Sequence, residues 1–441
     1  MERKVGRTSE ENQNASEGRG SQAEPAAQSF RTAEIHTYSD QSEYEESDIS
    51  DEDFLEDAKK ILANAMLQEN DGKEEYMVVC SEKNIVPSSL IIESLAKDEL
   101  NLRHMLLMDK GCVALAAALC VNKYIKRVNL SSNGISDTGG FELAAALMEN
   151  ETIVCLDLSA NSLSNEAGLA LARALRTNRT LTELCLAKNK LGDRFVKELA
   201  GALSTTGAPG GGYSGQLKVL DLSGNKISKR GGSDLARAFE IHDARLPSHL
   251  NVGWNDLGGD GGLLFLRAAL NFPRLVSLEI PFNGLTDAVA EIWEEYLKHS
   301  SLAHLDVSRN RLGIETALGI AAALKENVNL QVLKIGWNPL GTDGTKAIIQ
   351  SLNENVALET LRIENTCKSG QEQEVIEEAD RIMLERAVLT TVVCEYPERD
   401  RVHAAPNVPQ IKDSLLAKMP SQVQSKMTPR LSKMTECSPR K

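Results

Sequence analysis

The sequence predicts an α/β solenoid, in which short parallel strands cover one face and helices cover the other. The first observation is the segment Leu302–Leu312, LAHLDVSRNRL, which has the pattern L-x-x-L-x-V-x-x-N-x-L. The second is that this pattern recurs, with its asparagine at Asn133, Asn161, Asn189, Asn225, Asn255, Asn283, Asn310 and Asn338. Successive asparagines lie 28, 28, 36, 30, 28, 27 and 28 residues apart. A fixed period near 28 residues is typical of a repeat solenoid.

The composition supports a core of small branched side chains. Of 441 residues, 41% are apolar but only 4% are aromatic, so the core must consist mainly of Leu, Ile, Val and Ala. Thin stacked layers of such residues suit a solenoid. The net charge of −14 argues against nucleic-acid binding, which usually needs a basic face.

The sequence also predicts an intracellular protein, in the cytoplasm. The longest apolar run, Cys112–Val121, is too short to span a bilayer. The opening residues MERKVGRTSEENQN contain no apolar segment typical of a secretory signal. Eight cysteines occur without a C-x-x-C pair, which favours reduced thiols over disulfides or a zinc site.

Residues 1–54 form the first predicted segment, a disordered acidic tail that is too polar to offset the entropy of ordering. Its densest part, Glu43–Asp57, holds nine carboxylates in fifteen residues. This part is either a solvating tail or a docking strip for a basic partner. Ser50 precedes Asp51, Glu52 and Asp53, so we treat Ser50 as a candidate phosphorylation site that would add negative charge.

Residues 55–95 are predicted to form a helical cap, because a solenoid's first repeat would otherwise expose its apolar end. Phe54–Met66 has apolar residues at helical spacing. Ser88–Ala96 follows Pro87, and proline is favoured where a helix begins. A degenerate first repeat follows, with Met105 at the asparagine position.

Residues 96–394 are predicted to contain about ten repeats, each a strand followed by a helix. Leu156-x-Leu158 is the strand core of one repeat, and Glu166–Asn178 is its helix. The helical motif A-x-A-L-x-x-N occurs at Ala144–Asn150, Ala172–Asn178 and Ala321–Asn327. Parallel sheets are normally covered on both faces, but the alternate strand positions here are polar. One face of the sheet must therefore stay open to water, where it can bind a partner.

The pattern changes at two places. Ser204–Gln216, STTGAPGGGYSGQ, lengthens one repeat and is predicted to be a flexible loop. In the last repeat Thr366 replaces the asparagine, and an acidic helix at Gln371–Arg386 and a strand at Leu389–Cys394 are predicted to close the solenoid. Residues 395–441 are predicted to be a disordered basic tail.

These repeats resemble the ribonuclease-inhibitor type of leucine-rich repeat. Within that class the sequence is similar to the leucine-rich repeat-containing protein 74 family, through LNLRHMLL at Leu100–Leu107, VSRNRLG at Val307–Gly313 and GWNPLGTDGTKAI at Gly336–Ile348. The resemblance implies a horseshoe with its strands on the concave face and its helices on the convex face. It also implies that the repeated asparagines bond backbone groups in the turn after each strand.

Two sets of side chains are the candidate partner-binding residues. Four positions before the repeated asparagine, the open face carries an acidic stripe that includes Asp221, Glu279 and Asp306. Directly before the asparagine stand Trp254, Phe282, Arg309 and Trp337 on successive turns. Trp and Arg are enriched at binding hot spots, and Arg309 is placed to form a cation–π pair with a neighbouring aromatic ring. The alternative is that these aromatic side chains only pack against adjacent turns.

No catalytic, cofactor-binding or metal-binding arrangement emerges from the sequence. It lacks H-E-x-x-H, G-x-S-x-G and dinucleotide-binding motifs, and it shows no feature typical of a small-molecule site. His249 and His304 are expected near the open face, two strands and about 10 Å apart. A solvated role for them is the simpler interpretation.

Two classes of function remain. The first, which we favour, is a non-enzymatic scaffold or adaptor that binds a protein through its concave surface. The second is a regulator of a small GTPase, because the GTPase-activating protein for Ran shares this repeat class. That protein carries an acidic C-terminal tail, whereas the tail here is basic. In either case we expect a monomer whose partner offers a basic patch to the acidic stripe.

Overall fold

The computed structural model describes residues 71–204, 217–241, 246–367, 370–385 and 391–393. Several sequence predictions lie outside these ranges. They are the acidic tail with Ser50, the helix at Phe54–Met66, nearly all of the Gly-rich insertion, and the basic tail at 395–441. Within the described part of the chain, no helix is long and apolar enough to cross a membrane.

The described residues alternate strands with helices from Glu99 onward. The strands are β1 Glu99–Asn101, β2 Arg127–Asn129, β3 Cys155–Asp157, β4 Glu183–Cys185, β5 Val219–Asp221, β6 His249–Asn251, β7 Ser277–Glu279, β8 His304–Asp306, β9 Val332–Lys334, β10 Thr360–Arg362 and β11 Thr391–Val393. The helices are α1 Lys73–Glu82, α2 Ser89–Ser94, α3 Met108–Val121, α4 Asp137–Glu149, α5 Asn165–Thr177, α6 Asp193–Ser204, α7 Lys229–Phe239, α8 Asp260–Leu270, α9 Ala290–Tyr296, α10 Ile314–Glu326, α11 Gly341–Ser351 and α12 Glu372–Glu385. Short 3₁₀ turns at Asp287–Val289 and Leu297–His299 flank α9.

The strands form one parallel sheet in chain order, β1 to β11. Pairing follows the repeat residue for residue, so that Leu250 of β6 pairs with Leu278 of β7, and Leu278 pairs with Leu305 of β8. The central residue of every strand from β1 to β10 is buried, while the residues on either side of it are exposed or half-buried. The predicted α/β leucine-rich repeat solenoid is confirmed.

Helix ends depart from prediction by a residue or two for an identifiable reason. The predicted helix Glu166–Asn178 is observed as Asn165–Thr177, because Asn178 has already turned to an extended conformation at φ −62° and ψ 134°. The Nδ2 atom of Asn178 donates to the carbonyls of Leu147 and Asn150 in the preceding repeat. Its side chain therefore ends one helix and ties it to the previous one.

This bond recurs at the end of several helices. Buried asparagines that follow a helix and bond the preceding repeat stand at Asn122, Asn150, Asn178, Asn327 and Asn355. The A-x-A-L-x-x-N motif marks three of these positions, but the sequence alone does not assign them a role. These five asparagines form one asparagine ladder, which follows the ends of the helices.

The repeated asparagines of the sequence motif form another asparagine ladder, in the turns that follow the strands. At Asn310 the Nδ2 atom donates to the carbonyls of Ile280 and Val307, and the Oδ1 atom accepts the amides of Asn283 and Leu285. Equivalent bonds between repeats occur at every repeated asparagine from Asn133 to Asn338. These bonds satisfy turn backbone groups that would otherwise be buried without partners.

Candidate functional site

The open face of the sheet carries a register-aligned column of polar side chains. This open-face column contains Asn129, Asp157, Cys185, Asp221, Asn251, Glu279, Asp306, Lys334 and Arg362, each of which pairs with the next. Neighbouring strands lie about 4.8 Å apart. The geometry thus places the predicted acidic residues Asp221, Glu279 and Asp306 in one continuous row, near its centre.

Most of the acidic residues in this column also have a structural role in the turn that follows. The Oδ1 atoms of Asp157, Asp221 and Asp306 accept the backbone N–H two residues further on, at 2.8, 2.8 and 3.0 Å. In each case the donor is a serine. Sequence reasoning did not identify this bond, although the recurring pattern D-x-S carries its signal. These carboxylates therefore stabilise the turns whatever else they bind.

Glu279 differs from the other acidic residues of the column. The residue two positions further on is Pro281, which has no N–H to donate. The Oε2 atom of Glu279 instead accepts a hydrogen bond from Nδ2 of Asn251 at 3.0 Å. Burial raises the pKa of Glu279, and the nearby Asp306 and Asp221 carboxylates raise it further against the opposing charge of Lys334.

The negative charge at Asp306 is partly neutralised within the chain. Its Oδ2 atom lies 3.4 Å from Nζ of Lys334, the next residue of the column. Among the described residues, no Lys or Arg nitrogen forms an ion pair with Glu279. Asp221 and Glu279 thus lie near the centre of the open face without an ion-pair partner among the described residues. Of the acidic residues in the column, Glu279 alone accepts no backbone N–H from the following turn in this part of the chain.

A row of large side chains borders the open face at the turns after β6, β7, β8 and β9. We call Trp254, Phe282, Arg309 and Trp337 the aromatic ladder. The Trp254 and Phe282 rings stack with centroids 4.2 Å apart and planes 12° apart. The Arg309 guanidinium carbon lies 4.5 Å from the Trp337 ring centroid. Arg309 therefore forms the expected cation–π pair with Trp337, while Phe282 pairs with Trp254.

The aromatic ladder is exposed and its backbone is unusual. The relative exposures of Trp254, Phe282 and Trp337 are 52%, 49% and 41%. All four ladder residues have left-handed φ angles between 56° and 61°, a conformation that is an outlier for bulky residues. At the equivalent turn position of other repeats stand Ser132, Ala160, Lys188, Gly224 and Asn365. Large aromatic side chains are therefore not needed to build this turn.

Histidine and cysteine side chains are the other candidates for chemistry on this face. His249 and His304 are exposed on β6 and β8, and both align with Ser277 of the intervening strand. Burial is the main cause that raises the pKa of Cys155 to about 11 and that of Cys185 to about 12, so both thiols are protonated at neutral pH. In the described ranges, no group of three His, Cys, Asp or Glu residues is placed to hold a metal ion.

From the raised pKa of Glu279 we predict how the stability of the protein depends on pH. A group whose pKa is raised by folding stabilises the protein below its unfolded pKa, and this contribution is lost as pH rises through the folded pKa. At neutral pH the ionised side chain therefore destabilises the fold. Glu279→Gln, which keeps an acceptor for Asn251, is expected to raise the midpoint temperature of unfolding slightly at pH 7.5.

The difference in midpoint temperature between the variant and the wild-type chain should become smaller toward about pH 4, where an ordinary glutamate becomes protonated. Thermal unfolding monitored by circular dichroism at both pH values measures it. A variant that is less stable than wild type at pH 7.5 would contradict this account of Glu279.

Comparison with known proteins supports the repeat assignment. Residues 121–144, 177–200, 217–236, 248–266 and 326–348 match the family described as Leucine Rich repeat. The solved structure of Leiomodin-1 Actin-Binding Site 2 (ABS2) is similar at 22% identity over 35% of this chain and 90% of that chain, with a TM-score of 0.28. A likeness of this size says nothing of a partner. No curated protein matches the sequence, and the resemblance to the leucine-rich repeat-containing protein 74 family stays a prediction.

Proposed function

We propose that this chain is a non-enzymatic scaffold or adaptor that binds a protein partner through the open face of its sheet and the aromatic ladder beside it. The observation that carries the proposal is the aromatic ladder itself. Its rings are about half exposed, and they stand at turn positions where Gly, Ala, Ser, Lys or Asn serve in other repeats.

The energetics of the ladder favour binding over packing. A left-handed conformation costs a non-glycine residue about 1–2 kcal/mol, and half of each ring remains in contact with water. The stacked pair Trp254–Phe282 gains about 0.5–1.5 kcal/mol from its geometry, which is less than the cost of about 2–4 kcal/mol for its two left-handed residues. Burial of the exposed halves against a partner would supply the missing stabilisation, and large aromatic residues with arginine are typical hot-spot residues.

The charge of the open face supports a partner with a basic patch. Asp221 and Glu279 lie in the column next to the turns that carry Trp254 and Phe282. Complementary charges at such a surface accelerate encounter and orient the partner. The association is therefore expected to weaken as salt concentration rises, since ions screen exposed charges.

The experiment compares three full-length baits in capture from a native cell lysate. They are the wild-type chain, the double variant Trp254→Asn/Trp337→Asn, and the control Lys188→Asn, which changes the same turn position outside the ladder. Asparagine tolerates the left-handed conformation, and Asn365 adopts it in this chain. The double variant is expected to lose its partner, with affinity reduced by about 30- to 100-fold or more, whereas Lys188→Asn retains it.

All three baits are expected to unfold at similar temperatures. Equal recovery of the same proteins by wild type and the double variant would show that the ladder has a packing role, as would a large loss of stability. Washes at rising salt test the electrostatic contribution on the same samples. If the captured protein is a small GTPase, its hydrolysis rate with and without this chain decides between a scaffold and a regulator.

A further inference from the structure

We propose that Glu279 determines which partner segment is accepted, by pairing with a lysine or arginine side chain while an apolar neighbour in the same segment rests on the aromatic ladder. This inference rests on the proposed function and names the chemistry of the partner. The occupant is a protein segment that combines a cationic residue with an apolar one.

The first argument is that the turn after β7 offers no backbone N–H to the Glu279 carboxylate. Asp221 and Asp306 each give one carboxylate oxygen to a serine N–H in the following turn. Pro281 removes that donor from the turn after β7, because its ring nitrogen carries no hydrogen. Glutamate is also one methylene longer than aspartate, so its carboxylate extends further from the strand.

The second argument is that Glu279 has no ion-pair partner among the described residues, although the charge of Lys334 opposes part of its own. Lys334 pairs with Asp306, and the described contact of the Glu279 carboxylate is the neutral Asn251 amide. A half-buried carboxylate with a single neutral donor retains acceptor capacity on both oxygens. Such a group is stabilised most by a cation, because charge-assisted hydrogen bonds are about twice as strong as neutral ones.

The third argument is the position of Glu279 relative to the aromatic ladder. Glu279 ends β7, the strand between β6 and β8, and the turns after these three strands carry Trp254, Phe282 and Arg309. Glu279 precedes Phe282 by three residues in the same repeat. One extended partner segment can therefore reach both features.

The test uses a library of random 12-residue peptides displayed on phage, selected separately on the full-length wild-type chain, Glu279→Gln and Asp157→Asn. Asp157→Asn is the matched control, because it removes the same charge from the same column, outside the candidate binding residues, and keeps an oxygen for the Ser159 amide. Peptides from wild type are expected to combine Lys or Arg with an apolar residue. The Glu279→Gln selection should lose the basic residue, and the Asp157→Asn selection should keep it.

The strongest wild-type peptide is then synthesised and its affinity is measured by fluorescence anisotropy. Glu279→Gln is expected to weaken binding by about 10- to 100-fold, and Asp157→Asn by no more than about threefold. Equal weakening by both variants would overturn the proposal in favour of a diffuse acidic surface. No enrichment of basic residues, or no enrichment of any peptide, would overturn it as well.

The double variant Trp254→Asn/Trp337→Asn separates this inference from the proposed function. Peptides that depend on the ladder but bind Glu279→Gln equally well would leave the scaffold function standing and remove the role of Glu279. Peptides that bind all variants equally would count against both.

Discussion

Asn310→Ala is expected to lower the free energy of unfolding by about 3–5 kcal/mol. The Asn310 side chain is 7% exposed, and its Oδ1 atom accepts the amides of Asn283 and Leu285 at 2.9 and 3.2 Å. Alanine would leave these two amides buried without an acceptor, and each such loss costs about 1–3 kcal/mol. Its Nδ2 atom also donates to the Ile280 carbonyl of the preceding repeat, so the change weakens the contact between two repeats.

Urea unfolding followed by circular dichroism measures this change, and amide hydrogen exchange at Leu285 reports whether the opening is local. The matched control is Asn329→Ala. Asn329 is exposed and its Nδ2 atom bonds one carbonyl, that of Ser300, at 3.0 Å, so we expect a loss within about 1 kcal/mol. Equal losses of unfolding free energy in the two variants would show that Asn310, in the asparagine ladder after the strands, contributes little beyond an ordinary surface hydrogen bond.

Gly261→Ala is expected to destabilise the protein by about 3 kcal/mol. Gly261 is in the first turn of α8, where the helix approaches the start of α7. A Cβ atom at this position would lie 1.7 Å from the Lys229 carbonyl oxygen and 2.5 Å from its carbon. Both atoms belong to the backbone, so a side-chain rotation cannot relieve the overlap and the two helices must separate.

Gly201→Ala is the control for this substitution. Gly201 is in α6, and the nearest atom to an added Cβ would be Nη2 of Arg176 at 3.5 Å, an ordinary contact. Alanine is favoured over glycine in a helix by about 1 kcal/mol, so this variant should be slightly more stable than wild type. Thermal unfolding of both variants checks the pair of predictions, and a stable Gly261→Ala would mean that α7 and α8 separate at little cost.

Much of the fold follows from the sequence because a solenoid is built from local contacts. Each repeat packs on its neighbours alone, so the 28-residue period specifies the strand order and the pairing of Leu250 with Leu278. The same period aligns Asp221, Glu279 and Asp306 in one column, and Trp254, Phe282, Arg309 and Trp337 along one edge. Period and side-chain alternation were sufficient for these placements.

The roles of individual side chains were decided by the tertiary structure. Arg309 lies over the Trp337 ring, while Trp254 and Phe282 stack on each other. Because these four residues are almost equally spaced in the sequence, the spacing does not indicate which neighbours pair. Asp306 is paired with Lys334, whereas Glu279 bonds the Asn251 amide and has no turn N–H to accept, because Pro281 stands two residues further on. The periodic pattern determines where a side chain stands. Its hydrogen bonds and charge partners depend on distances of a few ångströms between repeats, which appear only when the chain is folded.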